Sequence, residues 1–270
     1  MIWVGVHLGS RLAATTAHNA SGVILALLKD FGITDVHVHF RESNYTRGIG
    51  APLYAHVDDL DPLVDVIGPL TPALGVRIST VAQPNAQGTM ALYLAAGGDS
   101  QDLLGLSCRH VLIGSAEANL DYVSHPHVPR EDVLHLGIRA YRNVIDSIML
   151  TIARHGIAAK RYRKQIKGFE KRERGTDAAD VETARAKRVE TEELLAKGDK
   201  AMLELSKLLD RVKKDWNDQD NRVIGSIVRS PAYQLGVGRH RFTEDWGLFK
   251  IDRSKLGNAF KGNVMDLGAF

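Results

Sequence analysis

The spacing of apolar residues changes several times along the chain, and each change predicts a different kind of element. Near the N-terminus, residues 11–31 predict a helix, with Ser10 as a cap and Gly32 just past its end. Strict alternation over residues 33–41 predicts a half-buried strand. The proline-rich residues 48–75 predict an irregular wrapping segment without a long helix.

Two later regions have the pattern of β-structure. Residues 88–96 and 103–112 predict two strands, and the sequence Gly97-Gly98-Asp99-Ser100 between them favours a turn, because glycine adopts positive φ without steric cost. The pair predicts a β-hairpin. Near the C-terminus, residues 222–229 and 246–251 predict two more strands.

Between these β regions, residues 129–216 carry apolar side chains at helical spacings of three and four. Gly175-Thr176-Asp177 interrupts the pattern, which predicts an antiparallel coiled-coil hairpin with arms of about 55–65 Å. His155 and Gly198 are its weak points. The first seam comprises Leu134, Ile138, Tyr141, Ile145, Ile148, Ile152, Ala159, Tyr162, Ile166 and Phe169; the second comprises Leu195, Met202, Leu205, Leu209, Val212 and Trp216.

These patterns together predict a mixed α+β protein in four parts. Residues 1–77 form a mixed α/β segment, and residues 78–128 form β-hairpins. Residues 129–216 are a helical insertion, and residues 217–270 are a β segment that breaks off in mid-fold, as in a truncated chain.

Composition says more about where the protein is located than about what it does. The net charge of +3 is too small to indicate nucleic-acid binding, and the one cysteine, Cys108, excludes an internal disulfide. The sequence has no signal-peptide pattern and no apolar run long enough to cross a membrane. We therefore expect an intracellular, cytoplasmic protein with no membrane contact.

Two residues are candidates for chemistry. His110 lies at the end of the second predicted strand of the hairpin, and Asp245 precedes an aromatic residue and an apolar strand. About 134 residues separate them, of which the helical insertion accounts for about 88, so only a few dozen remain. A carboxylate that holds the Nδ1–H of a histidine is what a catalytic triad requires. An ordinary strand histidine and a strand-start aspartate remain the alternative interpretation.

Several short motifs resemble a group of uncharacterised fungal proteins with trypsin-like folds and a helical insertion between histidine and aspartate. The resemblance covers nearly the whole chain and implies a chymotrypsin-like first β-barrel and an incomplete second barrel. It also implies that His110 is the general base and Asp245 its orienting acid. The motifs are Gly32-Ile33-Thr34-Asp35, Phe40-Arg41-Glu42-Ser43, Gly97-Gly98-Asp99-Ser100, Cys108-Arg109-His110-Val111, Thr243-Glu244-Asp245-Trp246 and Phe260-Lys261-Gly262-Asn263.

The chain departs from that family where the nucleophile belongs. No Gly-Asp-Ser-Gly-like loop follows Asp245, and the one later serine, Ser254, lies in a polar turn. Ser100 precedes His110 and lies in the hairpin turn, so we do not expect it to be the nucleophile. Without a nucleophile and an oxyanion hole, we expect a truncated or degenerate serine-protease homologue without activity by itself. Whether the chain is an enzyme is left open.

The remaining candidates are weaker. His37 and His39 share a strand face and could suggest a metal site, but the other ligands of such a site are not apparent. His125 and His127 lie in a predicted loop, and Cys108 is more typical of packing than of nucleophilic chemistry. We therefore predict no metal site and no cofactor.

A second function class remains open, in which the coiled-coil hairpin binds a protein or peptide partner and the barrel is a scaffold. A basic stretch, Lys160–Arg174, lies near the predicted hairpin tip. This stretch is a weak indication of nucleic-acid binding, because acidic residues of the second arm can pair with its basic side chains. We therefore do not expect nucleic acid as a partner.

Overall fold

The computed structural model describes residues 1–6, 11–42, 50–114, 117–125 and 130–265. The chain divides into two units, Met1–Gly48 and Ile49–Phe270. Within the described ranges, every helix is too short or too polar to cross a membrane.

The first unit is a strand–helix–strand segment. It contains β1 (Ile2–Val6), α1 (Ala14–Asp30) and β2 (Val38–Glu42), and the two strands pair in parallel. Gly32 adopts a φ of +75° just past the helix, as its predicted position requires. Strand β2 alternates between half-buried and exposed residues as predicted, although it starts later than the sequence indicates. Ser10, the predicted cap, lies outside the described residues.

The second unit has mixed α and β elements. In chain order they are α2 (Val64–Ile67), β3 (Arg77–Thr80), β4 (Gly88–Thr89), β5 (Leu92–Gly97), β6 (Ser100–Ser107), α3 (Arg109–Leu112), β7 (Tyr122–Val123), β8 (Asp132–His135), α4 (Ile138–Arg172), α5 (Ala178–Trp216), β9 (Val223–Ser230), β10 (Gln234–Val237), β11 (Phe242–Glu244) and β12 (Gly247–Ile251).

An eight-stranded antiparallel sheet curls into a half-barrel. Its strand order is β4-β3-β8-β9-β12-β6-β5, with β7 on an additional edge of β9. The predicted hairpin is confirmed, because β5 and β6 are adjacent and antiparallel. The predicted strand 88–96 is divided into β4 and β5, and β10 and β11 form a separate two-stranded ribbon.

Close packing at the centre of the sheet requires a glycine in β6. The ring of Phe249 in β12 is fully buried and lies across from Gly105. A Cβ atom at position 105 would lie 2.3 Å from Cζ of that ring and 2.8 Å from the sulfur of Met90. Neither neighbour could move easily inside a dense core. The glycine therefore allows β6 to lie against the largest side chain of β12.

Helices α4 and α5 form the predicted hairpin, with the break at Gly175-Thr176-Asp177. Asp177 caps α5 by accepting hydrogen bonds from the backbone N–H groups of Ala179 and Asp180. Ion pairs across the hairpin, Arg163 with Asp199 and Arg188 with Glu173, show that the arms run antiparallel.

The hairpin begins later than the sequence predicts. Leu134, predicted as the first residue of the helical seam, instead lies in β8, and α4 starts at Ile138. Strand β8 is hydrogen-bonded on both sides, to β3 and to β9, and every one of its residues is buried. A strand buried on both faces has no polar alternation, so its apolar residues merged with the helical pattern that follows.

The two seams face inward as predicted, but the base of the hairpin belongs to the core of the sheet. Each predicted seam residue within the two helices is buried or half-buried. Ile148 and Leu205 lie in the same continuous core as Ile78 and Phe249 of the sheet. Only the part of the hairpin between these two residues and its turn is therefore separate from the core of the sheet.

Candidate functional site

Two loops meet at one end of the sheet because strands β6 and β12 lie side by side and run antiparallel. Gly247, the first residue of β12, lies opposite Ser107, the last residue of β6. The chain leaving β6 and the chain entering β12 are therefore neighbours. His110 comes just after β6 and Asp245 just before β12, so the register of the two strands brings these residues together.

The sequence predicts His110 at the end of a strand. In the structure it lies instead in the short helix α3. Strand β6 ends at Ser107, and Cys108 has an extended conformation, with φ −71° and ψ 147°, directly before the helix. The apolar residues Val111 and Leu112 suggested a longer strand, but they pack inward from a helical turn, with Leu112 buried. A short apolar run does not distinguish the two conformations.

Arg109 anchors α3 to the neighbouring loops. Its guanidinium donates hydrogen bonds to the carbonyl oxygens of Ser230 (3.2 Å), Pro231 (2.8 Å) and Leu120 (2.8 Å), and its side chain is buried. Because Arg109 immediately precedes His110, these bonds fix the backbone that carries the imidazole. Sequence reasoning missed this residue; an arginine inside the apolar run that precedes Leu112 was the available signal.

Asp245 holds His110 at two points. The ring Nδ1 of His110 lies 2.6 Å from Oδ2 of Asp245, and the backbone N–H of His110 donates to Oδ1 at 3.1 Å. An ionised carboxylate only accepts hydrogen bonds, so the neutral ring carries its proton on Nδ1. Its Nε2 then has a free lone pair. In the described part of the chain, no protein group hydrogen-bonds to Nε2.

The predicted proximity of His110 and Asp245 is therefore confirmed, while their catalytic roles stay a prediction. The side chain of His110 is 65% exposed and that of Asp245 is 20% exposed. The dyad thus opens to solvent on the side of Nε2, with the carboxylate behind the ring. This arrangement can accept a proton from a water molecule or a hydroxyl group placed at Nε2.

Cys108 lies beside the dyad. One ligand atom from each of Cys108, His110 and Asp245 falls within 4.8 Å of the others, and the three residue types could hold a divalent cation such as Zn²⁺. The sequence predicts no metal at these residues. Partial burial, and then the charge of Asp245, raises the pKa of the Cys108 thiol. The thiol is therefore kept protonated, which is the opposite of an activated nucleophile.

The two serines considered from the sequence lie at the far end of the sheet from His110. Ser100 begins β6, whereas His110 follows its end, so the strand separates them by about 20 Å. Ser254 follows the far end of β12, and its hydroxyl donates to Oδ1 of Asp252 at 2.7 Å. Neither hydroxyl can reach the imidazole in this fold.

The other histidines considered from the sequence do not gather ligands. His37 and His39 are both exposed in the first unit, and the ring of His39 lies 5.2 Å from that of Trp3. Within the described ranges, neither histidine belongs to a group of three metal-ligating side chains. His125 is exposed, and His127 lies outside the described residues.

The basic stretch of α4 is partly neutralised by the facing arm. Arg163 pairs with Asp199 at 3.1 Å, and Arg172 pairs with Asp180. Both ion pairs are exposed, so each contributes little to stability. They do reduce the positive potential that a nucleic acid would meet at the hairpin tip.

Comparison of the chain with protein-family models, with curated proteins and with solved structures finds no match. The function must therefore be argued from the site itself.

Proposed function

We propose that this chain carries the general base and the orienting acid of a serine-peptidase-type acyl-transfer site. The observation that carries the proposal is the double hydrogen bond from His110 to Asp245, which engages Nδ1 and leaves Nε2 without a protein partner on an exposed side chain. In this role Nε2 accepts the proton of an attacking hydroxyl, and Asp245 stabilises the imidazolium that forms. A carboxylate bound at two points keeps the ring in the tautomer that this reaction needs.

We also propose that the curled sheet corresponds to the first barrel of a chymotrypsin-like fold. Three features support this: the sheet is antiparallel and curled, histidine precedes aspartate in the chain, and both lie at the same end of two adjacent strands. The helical hairpin is then an insertion between them that leaves their geometry intact. We further propose that the two arms of the hairpin, α4 and α5, pack as an antiparallel coiled coil.

None of the three candidate nucleophiles named from the sequence is suited to the role. Ser100 and Ser254 are at the wrong end of the sheet, and the thiol of Cys108 is held protonated. Near the site, Leu235 and Phe242 of the β10–β11 ribbon are 72% and 66% exposed. An apolar surface beside the dyad is suited to contact with the part that supplies the serine and the oxyanion hole. We propose that the chain by itself has no peptidase activity.

Two assays test this proposal separately. The first measures hydrolysis of p-nitrophenyl acetate, in which Nε2 takes a proton from water, the water oxygen adds to the acetyl carbonyl, and p-nitrophenolate leaves. The wild-type rate should exceed the rates of His110→Ala and Asp245→Asn. His240→Ala, which removes another exposed histidine, is the matched control and should keep the wild-type rate. Equal rates in all four proteins would show that His110 is not a base.

The second assay exposes the protein to a fluorophosphonate probe, which labels activated serines. We expect no labelling, because among the described residues His110 is hydrogen-bonded to Asp245 and to no serine hydroxyl. Stoichiometric labelling that His110→Ala abolishes would show that a nucleophile has been overlooked. It would overturn the proposed inactivity while supporting the role of the dyad.

Exposed apolar residues on the helices favour a second function, binding of a protein or peptide partner by the distal hairpin. Ile157 on α4 is 71% exposed and Leu203 on α5 is 55% exposed. Large exposed apolar side chains often mark protein interfaces. Replacing Ile157 by Glu should abolish co-purification of a stoichiometric partner without changing the free energy of unfolding. Retention of that partner by the variant would exclude the surface.

A further inference from the structure

A small cavity lies where the end of the helical hairpin meets the sheet. It has room for about one water molecule or an ion of similar size. Its polar lining comes from three elements: His135 of β8, Trp216 at the end of α5, and the turn residues Asn221 and Arg222. Lys255, in the turn after β12, completes the polar lining.

In the described part of the chain, two cations of this lining are buried without a carboxylate at ion-pair distance, and Asp218 and Asp252 act on them only from farther away. Arg222 is 5% exposed and Lys255 is 4% exposed. No ion pair to either residue is found in the described part of the chain, and burial lowers the pKa of both side chains. Their protein contacts are neutral: Arg222 donates to the carbonyl of Trp216 and lies over the ring of Tyr141, and Lys255 donates to the carbonyl of Asn221. Unpaired charge in a dry interior is costly.

The hydrogen-bonding groups at the cavity are mostly donors. Nε1 of Trp216 and Nε of Arg222 are buried and have no hydrogen-bond partner among the described residues. Nζ of Lys255 has three protons and one bond to a backbone carbonyl. The neutral ring of His135 lies edge-on to Trp216, and the carbonyl of Pro69 lies near it without meeting hydrogen-bond geometry. A site with several donors and a net positive charge is complementary to an anion.

We infer that this cavity binds a small monovalent anion, with chloride as the ion that fits its size and charge. The anion accepts hydrogen bonds from Trp216 and Arg222 and offsets the charge of Arg222 and Lys255. A water molecule fits the size but would bring two protons into a lining that already supplies donors, and it would place no negative charge beside either cation. Larger anions such as gluconate or sulfate do not fit.

The position of the site gives the anion a structural consequence. Trp216 ends the second arm of the hairpin, while His135 and Lys255 belong to the sheet side of the junction. An ion bound to both sides joins the hairpin base to the sheet, so it stabilises the folded state but not the unfolded chain. The inference does not rest on the peptidase-type function, because no residue of the cavity belongs to the His110 site.

Thermal unfolding of the full chain at constant ionic strength provides the first test. Replacing sodium gluconate by sodium chloride should raise Tm by about 3–5 °C for each tenfold increase in chloride above its dissociation constant. Trp216→Phe keeps the aromatic packing and removes one donor, so its chloride response should be smaller. Lys255→Met should abolish the response, whereas Lys250→Met, which removes an exposed lysine paired with Asp102, should retain it.

Bromide provides the second test, which does not require any variant to fold. A crystal grown in sodium bromide should show an anomalous-scattering peak in the cavity within hydrogen-bond distance of Trp216 Nε1. A Tm that is the same in chloride and gluconate would overturn the inference. Electron density for a water molecule in the cavity, without an anomalous peak, would also overturn it. Neither outcome affects the ester-hydrolysis test of His110.

Discussion

Asp245 accepts two hydrogen bonds from a single residue, His110, one from its ring at 2.6 Å and one from its backbone N–H at 3.1 Å. The two oxygens of one carboxylate therefore fix both the position of the loop and the orientation of the ring. The residues are far apart in the sequence, and the antiparallel register of β6 and β12 places them together. This relationship can be tested without any enzymatic assay.

The variant Asp245→Asn should change the tautomer of His110. An amide can present its NH₂ group to Nδ1, and the ring then carries its proton on Nε2 instead. Long-range nitrogen–proton NMR spectra distinguish the two neutral tautomers, and they should show the Nδ1–H form in the wild type only. The control Asp252→Asn, which removes an exposed aspartate beyond the far end of β12, should keep the wild-type spectrum. An Nε2–H tautomer in the wild type would contradict the described geometry.

A charge placed at the base of the hairpin should destabilise the whole second unit. Ile148 is fully buried in the core shared with the sheet, whereas Ile157 on the same helix is 71% exposed. Ile148→Asp should lower the free energy of unfolding by about 3–5 kcal/mol, because it removes apolar contacts and buries a carboxylate. Ile157→Asp should change it little. Urea titration followed by circular dichroism measures both, and equal effects would mean that the core does not extend into the hairpin.

Replacing a glycine in α5 should stabilise the hairpin. The weak points predicted from the sequence face each other, because a Cβ atom at Gly198 would lie 4.0 Å from Nδ1 of His155. That is an ordinary contact, so Gly198→Ala should raise the free energy of unfolding by about 0.5–1 kcal/mol through its helix propensity. Gly105→Ala should do the reverse, since its Cβ would collide with Phe249. A loss of stability in Gly198→Ala would show that the two arms pack too closely around Gly198 to admit a methyl group.

The buried ring of His135 should make folding sensitive to acid. Burial, and then the charge of Arg222, lowers the pKa of His135 from 6.5 to about 3. Between these two values the unfolded chain binds a proton that the folded chain does not. Stability contributed by the neutral ring is therefore complete above pH 6.5 and is lost as the pH falls toward 3, by up to about 1.4 kcal/mol per pH unit.

His135→Gln should reduce this pH slope whatever its effect on stability at neutral pH, while His240→Gln, at an exposed position, should retain it. Urea unfolding at a series of pH values measures the slope of each protein. An unchanged slope in His135→Gln would mean that other groups account for the acid sensitivity.

Local sequence patterns were sufficient for the elements that satisfy their own hydrogen bonds. The two arms of the hairpin, their break at residues 175–177 and the turn of the β5–β6 hairpin follow from spacing and turn chemistry. They failed at β8 and at α3, where a buried apolar run reads equally well as helix or strand. The hydrogen bonds of β8 go to β3 and β9, which are distant in the sequence, so no local pattern indicates them.

The sequence by itself determined that His110 and Asp245 were the candidates, because each stands beside an apolar strand in an order and at a spacing that suit a triad. It could not determine that Arg109 anchors the helix bearing His110, since two of the three carbonyl groups it binds, those of Ser230 and Pro231, lie 121 and 122 residues farther along the chain. Nor could it reveal the cavity beside Trp216, whose lining residues meet only when the hairpin packs on the sheet. Side-chain chemistry is set residue by residue, whereas the burial and pairing that tune it depend on long-range packing.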